Sequence, residues 1–251
     1  MPPTRPSVMI VAHGSSVSED AQDAARQHAL TLQQSNRYGR VDICFLVRGH
    51  TPPYLPSGEI FLLPFFMSNG YFVTQRIPEL FELEEGYRIE PERKVLLCDA
   101  LGIDPELAGI ISTMAGDVCH EQGYSPSGIH LVLVAHGSEK STASAEATFL
   151  QQQAVDRRGE FAKVSSTFLN QSPHLEEWLC EQPEKGPPIV LIGLFAADGP
   201  HASEDVPGAI STWRHRTGSK LPVHYAGAIG TRPEIVRLIQ QSISRCAAKF
   251  R

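Results

Sequence analysis

Residues 133–138 read Leu-Val-Ala-His-Gly-Ser, and residues 10–15 read Ile-Val-Ala-His-Gly-Ser. Each phrase ends an apolar run with the length and β-branched content of a buried strand, and a polar, alanine-containing stretch of helical character follows it. The two histidines lie 123 positions apart in a chain of 251 residues. This spacing indicates that one half of the chain repeats the other.

Two further pairs of segments support the duplication. Residues 66–72 align with 195–201, and residues 101–106 align with 229–234. The aligned segments contain the turn pairs Asn-Gly and Asp-Gly in the first case and a shared Pro-Glu in the second. Three matches in the same order make a fused duplication the simplest explanation.

Strand and helix patterns alternate in both halves, which is typical of parallel α/β sheets. We therefore predict an α/β fold of two similar lobes, each a parallel sheet flanked by helices in flavodoxin-like or Rossmann-like layers. The stretch Gly-Tyr-Ser-Pro-Ser-Gly at 123–128 is the natural boundary. The predicted lobes are residues 1–124 and 125–251.

Composition and charge exclude several classes of protein. The chain is 41% hydrophobic and 20% charged, which argues against disordered and fibrous proteins. A net charge of −6 gives no overall basic field for nucleic acid or an anionic membrane. No apolar run approaches the ~18 residues of a membrane span, and the N-terminus lacks the apolar core of a signal peptide. We expect a cytoplasmic monomer or homodimer.

The cysteine and glycine patterns exclude further kinds of site. The five cysteines are scattered and form no Cys-x-x-Cys, so neither a disulfide framework nor a zinc finger is predicted. The sequence also lacks a Gly-rich phosphate loop with a lysine, and we expect no nucleotide cofactor.

Three histidines follow predicted strands. His13 and His136 come directly after the first strand of each half, and His201 comes six residues after another strand. Ligands of parallel sheets bind beyond the carboxyl ends of the strands, so His136 and His201 are predicted to converge. Imidazole is both a common metal ligand and a base near neutral pH. The pair predicts a divalent-metal site or an acid–base pair.

The Gly-Ser dipeptides after His13 and His136 allow two interpretations. Gly14, Ser15, Gly137 and Ser138 form turns whose backbone N–H groups are able to hold an anion at a helix N-terminus. Alternatively, the turns only serve the strand-to-helix geometry. The sequence leaves both open.

The repeated phrase, together with Leu-Phe-Ala-Ala-Asp-Gly-Pro-His-Ala-Ser-Glu-Asp-Val-Pro at 194–207, resembles the sirohydrochlorin chelatases of the CbiX/SirB type. These are small, ATP-independent class II tetrapyrrole chelatases. The resemblance covers nearly the whole chain and implies two α/β lobes with a cleft. It also implies insertion of cobalt, iron or nickel into sirohydrochlorin or a related tetrapyrrole, in cobalamin or siroheme biosynthesis. The metal-binding and proton-accepting histidines of the family correspond to His136 and His201.

The chain departs from the family pattern in both halves. Phe72 occupies the position of His201 in the first half, so the N-terminal lobe is expected to be degenerate and the C-terminal lobe active. Phe72 and its aromatic neighbours form either an apolar wall for the macrocycle or ordinary core. An acidic residue common in the family is replaced by Asn170 and by Val47. Glu146 is a candidate substitute, although a solvated helix face is the competing interpretation.

Two other functions remain open at this stage. The departures are compatible with a non-catalytic tetrapyrrole or metal carrier. A phosphate-handling enzyme with His13 or His136 as nucleophile has less support. Candidate partners for substrate carboxylates are the basic residues Lys140, Arg157, Arg158 and Arg76.

Overall fold

The computed structural model describes residues 5–14, 20–47 and 53–250. In chain order the elements are β1 Ser7–His13, α1 Asp20–Gln34, β2 Val41–Leu46, β3 Gly58–Pro64, α2 Ile77–Phe81, β4 Tyr87–Glu90, β5 Arg93–Leu97, α3 Leu107–Gln122, β6 His130–Ala135, α4 Ala143–Asp156, β7 Lys163–Phe168, α5 Leu175–Cys180, β8 Ile189–Gly193, α6 Val206–Thr217, β9 Val223–Ala228 and α7 Ile235–Lys249. The alternation confirms the predicted α/β class.

The strands form two sheets. The first has the order β2-β1-β3-β5-β4, and the second has the order β7-β6-β8-β9. Every pairing is parallel except that of β4 with β5. Strands β6 and β8 are buried along their whole length, as expected for central strands covered on both faces. The carboxyl ends of β6 and β8 therefore lie side by side.

Strand β4 interrupts the alternation of strand and helix that the sequence predicts, because it lies between α2 and β5 and pairs antiparallel with β5. The helix ends after one turn because Glu82 adopts a left-handed conformation with φ of 51°. The chain then returns as an antiparallel edge strand, whose Arg88 pairs with Glu82 and Glu90. A charged edge strand lacks the apolar pattern by which sequence analysis recognises strands.

The chain forms two compact units that do not coincide with the two repeats. The first unit comprises residues 1–104 and 233–251, and the second comprises residues 105–232. Helix α3, from the first repeat, packs on β8 and β9, whereas α7, from the second repeat, packs on β3 and β5. The lobes 1–124 and 125–251 thus describe the sequence repeat. One helix of each compact unit therefore comes from the other repeat, α7 in the first unit and α3 in the second.

Helix α7 is held in the first unit by one apolar face. Its buried residues recur at helical spacing and include Ile235, Leu238, Ile239 and Ile243. Just beyond its end, the carbonyl oxygen of Phe250 accepts a hydrogen bond of 2.9 Å from Lys94 Nζ. Across the described part of the chain, the helices are too short or too polar to cross a membrane.

Candidate functional site

Two exposed imidazole rings meet at the carboxyl edge of the second sheet. His136 follows β6 directly, and His201 follows the loop after β8. The ring centroids are 4.4 Å apart and the ring planes are inclined at 73°, an edge-to-face arrangement. The structure thus brings together the two histidines that the sequence predicts to converge.

The Nδ1 atom of each ring faces an oxygen that only accepts hydrogen bonds. His136 Nδ1 lies 2.7 Å from the carbonyl oxygen of Gly137, and His201 Nδ1 lies 2.6 Å from Asp205 Oδ2. Both Nδ1 atoms must therefore carry a proton and donate it. In the neutral rings the lone pair is left on Nε2, which is the atom that would bind a metal or accept a proton.

Asn170, the second residue after β7, contacts His136 in two ways. Its backbone N–H donates a 2.9 Å hydrogen bond to the carbonyl oxygen of His136. Its side-chain Nδ2 lies 3.0 Å from His136 Nε2. Because Nε2 is the acceptor atom of that ring, the amide of Asn170 must be the donor.

A π-helical turn, His201–Asp205, places His201 and its carboxylate partner. The turn precedes α6, whose second residue is Pro207. Proline has no N–H to bond the carbonyl oxygen four residues earlier. The carbonyl oxygen of Ser203 therefore lacks its α-helical hydrogen bond, which allows the wider turn. His201 and Asp205 come to lie on one side of the turn, with their side chains about half exposed.

The loop before His201 is fixed by a close backbone approach. A Cβ at Gly230 would lie 2.1 Å from the carbonyl oxygen of Ala196, so only glycine fits. The Gly230 N–H also donates a 2.9 Å hydrogen bond to the carbonyl oxygen of Phe195. Gly102 makes the same approach to Met67 in the first unit. The loop conformation is therefore common to both repeats.

The turn after His136 is occupied by the protein's own side chains. The Gly137 N–H donates to Ser144 Oγ at 3.2 Å, and the Ser138 N–H donates to Gln171 Oε1 at 2.7 Å. This arrangement favours the interpretation in which the turn serves the strand-to-helix geometry. A side chain at Gly137 would be strained by the φ of 75°, and its Cβ would lie 2.6 Å from Gln171 Cγ.

The equivalent place in the first unit contains an aromatic cluster. Phe72 lies edge-to-face on His13 with centroids 5.2 Å apart, stacks on Phe66 at 5.7 Å and contacts exposed Tyr71. Phe66 and Phe72 also pack against the core of this unit, as the core interpretation expects, and a wall for the macrocycle stays a prediction. The Gly14 N–H donates to the carbonyl oxygen of Leu46.

The other predicted contacts are less engaged. Ser15 lies outside the described residues. Glu146 is exposed in the first turn of α4, and in the described ranges its side chain forms neither a hydrogen bond nor an ion pair. Arg158 is paired with Glu160, and Lys140 is exposed. Among the described residues, Glu146, Arg158 and Lys140 form no hydrogen bond or ion pair with either ring of the histidine pair.

A groove of about 800 Å³ opens beside the pair, flanked by α5 and α6. Asn170 and Asp205 lie at its lining, together with His174 and the carboxylates of Glu177 and Glu204. The lining also includes Glu176, which is paired with Arg216. The excess of carboxylates favours cations and disfavours carboxylate-bearing ligands in this groove.

The described residues contain no cluster of three or more His, Cys, Asp or Glu side chains arranged to hold a metal. A metal at His136 and His201 would thus have two protein ligands, and its remaining positions would be open. Such a site differs from structural zinc sites, which are closed by four ligands. It suits an ion that is taken up and passed on.

The hydrogen bond of Asp205 with His201 and the contact of Asn170 with His136 were not predicted from the sequence. A carboxylate four residues after a histidine in a helical segment lies on the same face, and this spacing was available as a signal. The Asn170 contact depends on the register of β7 against β6, which a single sequence does not define.

The CbiX family model matches residues 7–117 and 130–246, once in each repeat. The chain belongs to the CbiX family. A curated relative in this comparison is a probable sirohydrochlorin cobaltochelatase from Halobacterium salinarum, 26% identical, with 90% of this chain and 87% of the relative covered.

Solved structures show the same fold. The multi-domain protein DR2241 of Deinococcus radiodurans, described as structurally similar to chelatases, matches with a TM-score of 0.79 and 22% identity. That match covers 94% of this chain but only 54% of DR2241. SirB from Bacillus subtilis, solved with Fe³⁺, matches with a TM-score of 0.77 and 17% identity over 98% of this chain and 96% of SirB.

Proposed function

We propose that this protein is an ATP-independent chelatase that inserts a divalent metal into sirohydrochlorin or a related tetrapyrrole. His136 and His201 are its metal donors and proton acceptors. The observation that supports this most directly is the pair of rings 4.4 Å apart, each with its Nδ1 atom held by an acceptor. Membership of the CbiX family supports the reaction class.

The geometry suits a transferable metal. First-row metals bind imidazole nitrogen at about 2.0–2.1 Å, and an ion at that distance from one nitrogen of each ring fits between rings with this separation. Two neutral nitrogen ligands hold the ion less firmly than a full ligand set. The other coordination positions remain available to the pyrrole nitrogens that receive it.

The same nitrogens serve the proton chemistry. Insertion of the metal displaces two protons from the pyrrole nitrogens, and a base near neutral pH is needed for each. An imidazole that accepts a proton at Nε2 becomes a cation. Asp205, 2.6 Å from His201 Nδ1, stabilises the cation that forms on His201.

Imidazole donors accept cobalt, iron and nickel alike, so we propose these metals as a group of substrates. The cobaltochelatase relative and the Fe³⁺-bound SirB structure are consistent with the first two. The product would enter cobalamin or siroheme biosynthesis accordingly.

A carrier that binds tetrapyrrole or metal without turnover is the second candidate. It is favoured by one observation, the amide of Asn170 at a position where many family members have a carboxylate. Stoichiometric binding without catalytic turnover would support the carrier. A phosphate-handling enzyme loses its support, because the N–H groups of Gly137 and Ser138 are already bonded within the protein.

Metal insertion changes the absorption spectrum of the tetrapyrrole, which provides the assay. We expect His136→Ala and His201→Ala each to lower the rate above background at least about 100-fold, the usual contribution of a positioned base. His174→Ala is the matched control, because this histidine lines the neighbouring groove without contacting either ring in the described structure. Wild-type rates in both variants would contradict the assignment.

A further inference from the structure

The two imidazoles differ in the state of their Nε2 atoms. His136 Nε2 faces Asn170 Nδ2 at 3.0 Å, whereas His201 Nε2 has no hydrogen-bond partner among the described residues. An amide nitrogen that donates to Nε2 has no lone pair to offer a metal. The Nε2 atom of His201 is therefore open to a metal, whereas the Nε2 atom of His136 is capped, that is, covered by the side-chain amide of Asn170.

The cap is anchored at its backbone and free at its side chain. The backbone N–H of Asn170 is fixed to the carbonyl oxygen of His136 at 2.9 Å. The side chain is exposed and, in the described part of the protein, is held only by the 3.0 Å contact with Nε2. Rotation about the side-chain bonds is enough to release Nε2, and water then solvates the amide.

The other repeat supplies an internal comparison. There, Val47 corresponds to Asn170, and Phe72 corresponds to His201. His13 is retained but its neighbour is a phenyl ring at 5.2 Å, which provides no second nitrogen. The repeat that has lost the imidazole pair has no amide at this position, as expected if the amide functions together with the pair.

We propose that Asn170 is a positioning residue that caps His136 Nε2 and thereby weakens the hold of the site on its metal substrate. The metal must displace the amide to bind both rings, and the amide returns to Nε2 after the metal has left and the proton that Nε2 then accepts from the macrocycle has been released to water. This inference rests on the proposed role of His136 and His201 as metal donors. It assigns Asn170 a function opposite to that of a ligand.

The test uses cobalt(II) chloride alone, titrated into the metal-free protein and followed by visible absorption and calorimetry. Asn170→Val copies the residue of the other repeat and removes the competing hydrogen bond, so we expect the cobalt dissociation constant to fall about 2- to 10-fold. Asn170→Asp replaces the cap by a carboxylate ligand and should bind cobalt more tightly still. Asp205→Asn weakens the hydrogen bond that supports His201, so it should raise the cobalt dissociation constant about 10-fold or more.

Gln153→Ala is the matched control, because Gln153 is an exposed amide on α4 away from the pair's contacts. It should leave the dissociation constant unchanged. A second readout is ¹⁵N NMR of the metal-free protein, where His136 should be an Nδ1–H tautomer and its Nε2 resonance should shift in Asn170→Val. Circular dichroism checks that the variants are folded.

The outcomes separate this inference from the proposed function. Weaker or unchanged cobalt binding by Asn170→Val would contradict the proposed capping role of Asn170. Weaker binding would mean that the amide is itself a ligand. Unchanged binding by His136→Ala would instead contradict the role of the histidine pair. Tighter binding by Asn170→Val, with weaker binding by His136→Ala, supports both.

Discussion

Acid should destabilise the second unit through one buried histidine. His130, at the start of β6, is 3% exposed, and its Nε2 lies 2.8 Å from Ser165 Oγ. Burial, together with the nearby charge of Lys163, lowers the pKa of His130 to about 4. In the unfolded chain the same group has a pKa of about 6.5. The neutral form is therefore the one that the fold accommodates.

The sign and size of the effect follow from the two values. Above pH 6.5 the histidine is neutral in both states and adds no pH dependence. Below pH 6.5, His130 binds a proton in the unfolded chain but not in the native protein. The free energy of unfolding therefore falls by about 1.4 kcal/mol per pH unit until about pH 4. The expected loss from His130 is about 2 kcal/mol at pH 5 and about 3 kcal/mol at pH 4.

The assay is urea unfolding at pH 8, 6 and 5, followed by tryptophan fluorescence. Trp178 and Trp213 are the only tryptophans of the chain and both belong to residues 105–232, so the signal reports on the second unit. His130→Gln keeps a polar group near Ser165 and does not titrate. Its loss of stability between pH 8 and 5 should be about 2 kcal/mol smaller than that of the wild type.

His120→Gln is the control, because His120 is exposed near the end of α3. This variant should follow the wild-type pH profile. Equal losses in the wild type and in His130→Gln would refute the reasoning, since other groups would then carry the acid sensitivity.

Three further predictions test the fold and the repeat. Gly230→Ala should destabilise the second unit by about 1–3 kcal/mol in urea unfolding, because its Cβ would overlap a backbone carbonyl, whereas Gly208→Ala in α6 meets no atom within 4 Å and should be neutral or stabilising. In the native protein a thiol reagent should label Cys180 rapidly, and the other four cysteines, which are buried, should react only on unfolding; rapid labelling of more than one would contradict the packing. The double variant Phe72→His with Arg76→Asp should raise the cobalt stoichiometry above that of the wild type, because it gives the first repeat the imidazole and the carboxylate of the second; an unchanged stoichiometry would contradict the equivalence of the two repeats.

The sequence predicted the fold class because its signals are local. The apolar runs before His13 and His136 and the turns after them define strand ends without knowledge of the partner strands. The edge strand β4 was not predicted because its charged residues pair with one another across the hairpin, as Glu90 does with Arg93. The exchange of α3 and α7 between the units was also not predicted from the sequence, since the apolar face of a helix fits either of two similar sheets.

The candidate site was predicted in part for a related reason. His136 and His201 follow strands, so the rule for the carboxyl edge of parallel sheets predicts their approach. Asn170 and Asp205 act through side-chain hydrogen bonds of 3.0 and 2.6 Å, which depend on strand register and on the π-helical turn. The sequence left open whether the Gly137 N–H faces an anion, because its partner Ser144 lies seven residues away.

The exchanged terminal helix has a consequence for synthesis of the protein on the ribosome. Residues 105–232 are one continuous segment, so the unit that holds the histidine pair is able to fold as soon as residue 232 has emerged. Strands β3 and β5 are made much earlier, yet α7, which packs on them, is made only after residue 232. Until then their apolar face stays uncovered and prone to aggregation. A nascent chain stalled before residue 233 therefore contains a complete candidate site and a first sheet that still lacks the cover of α7.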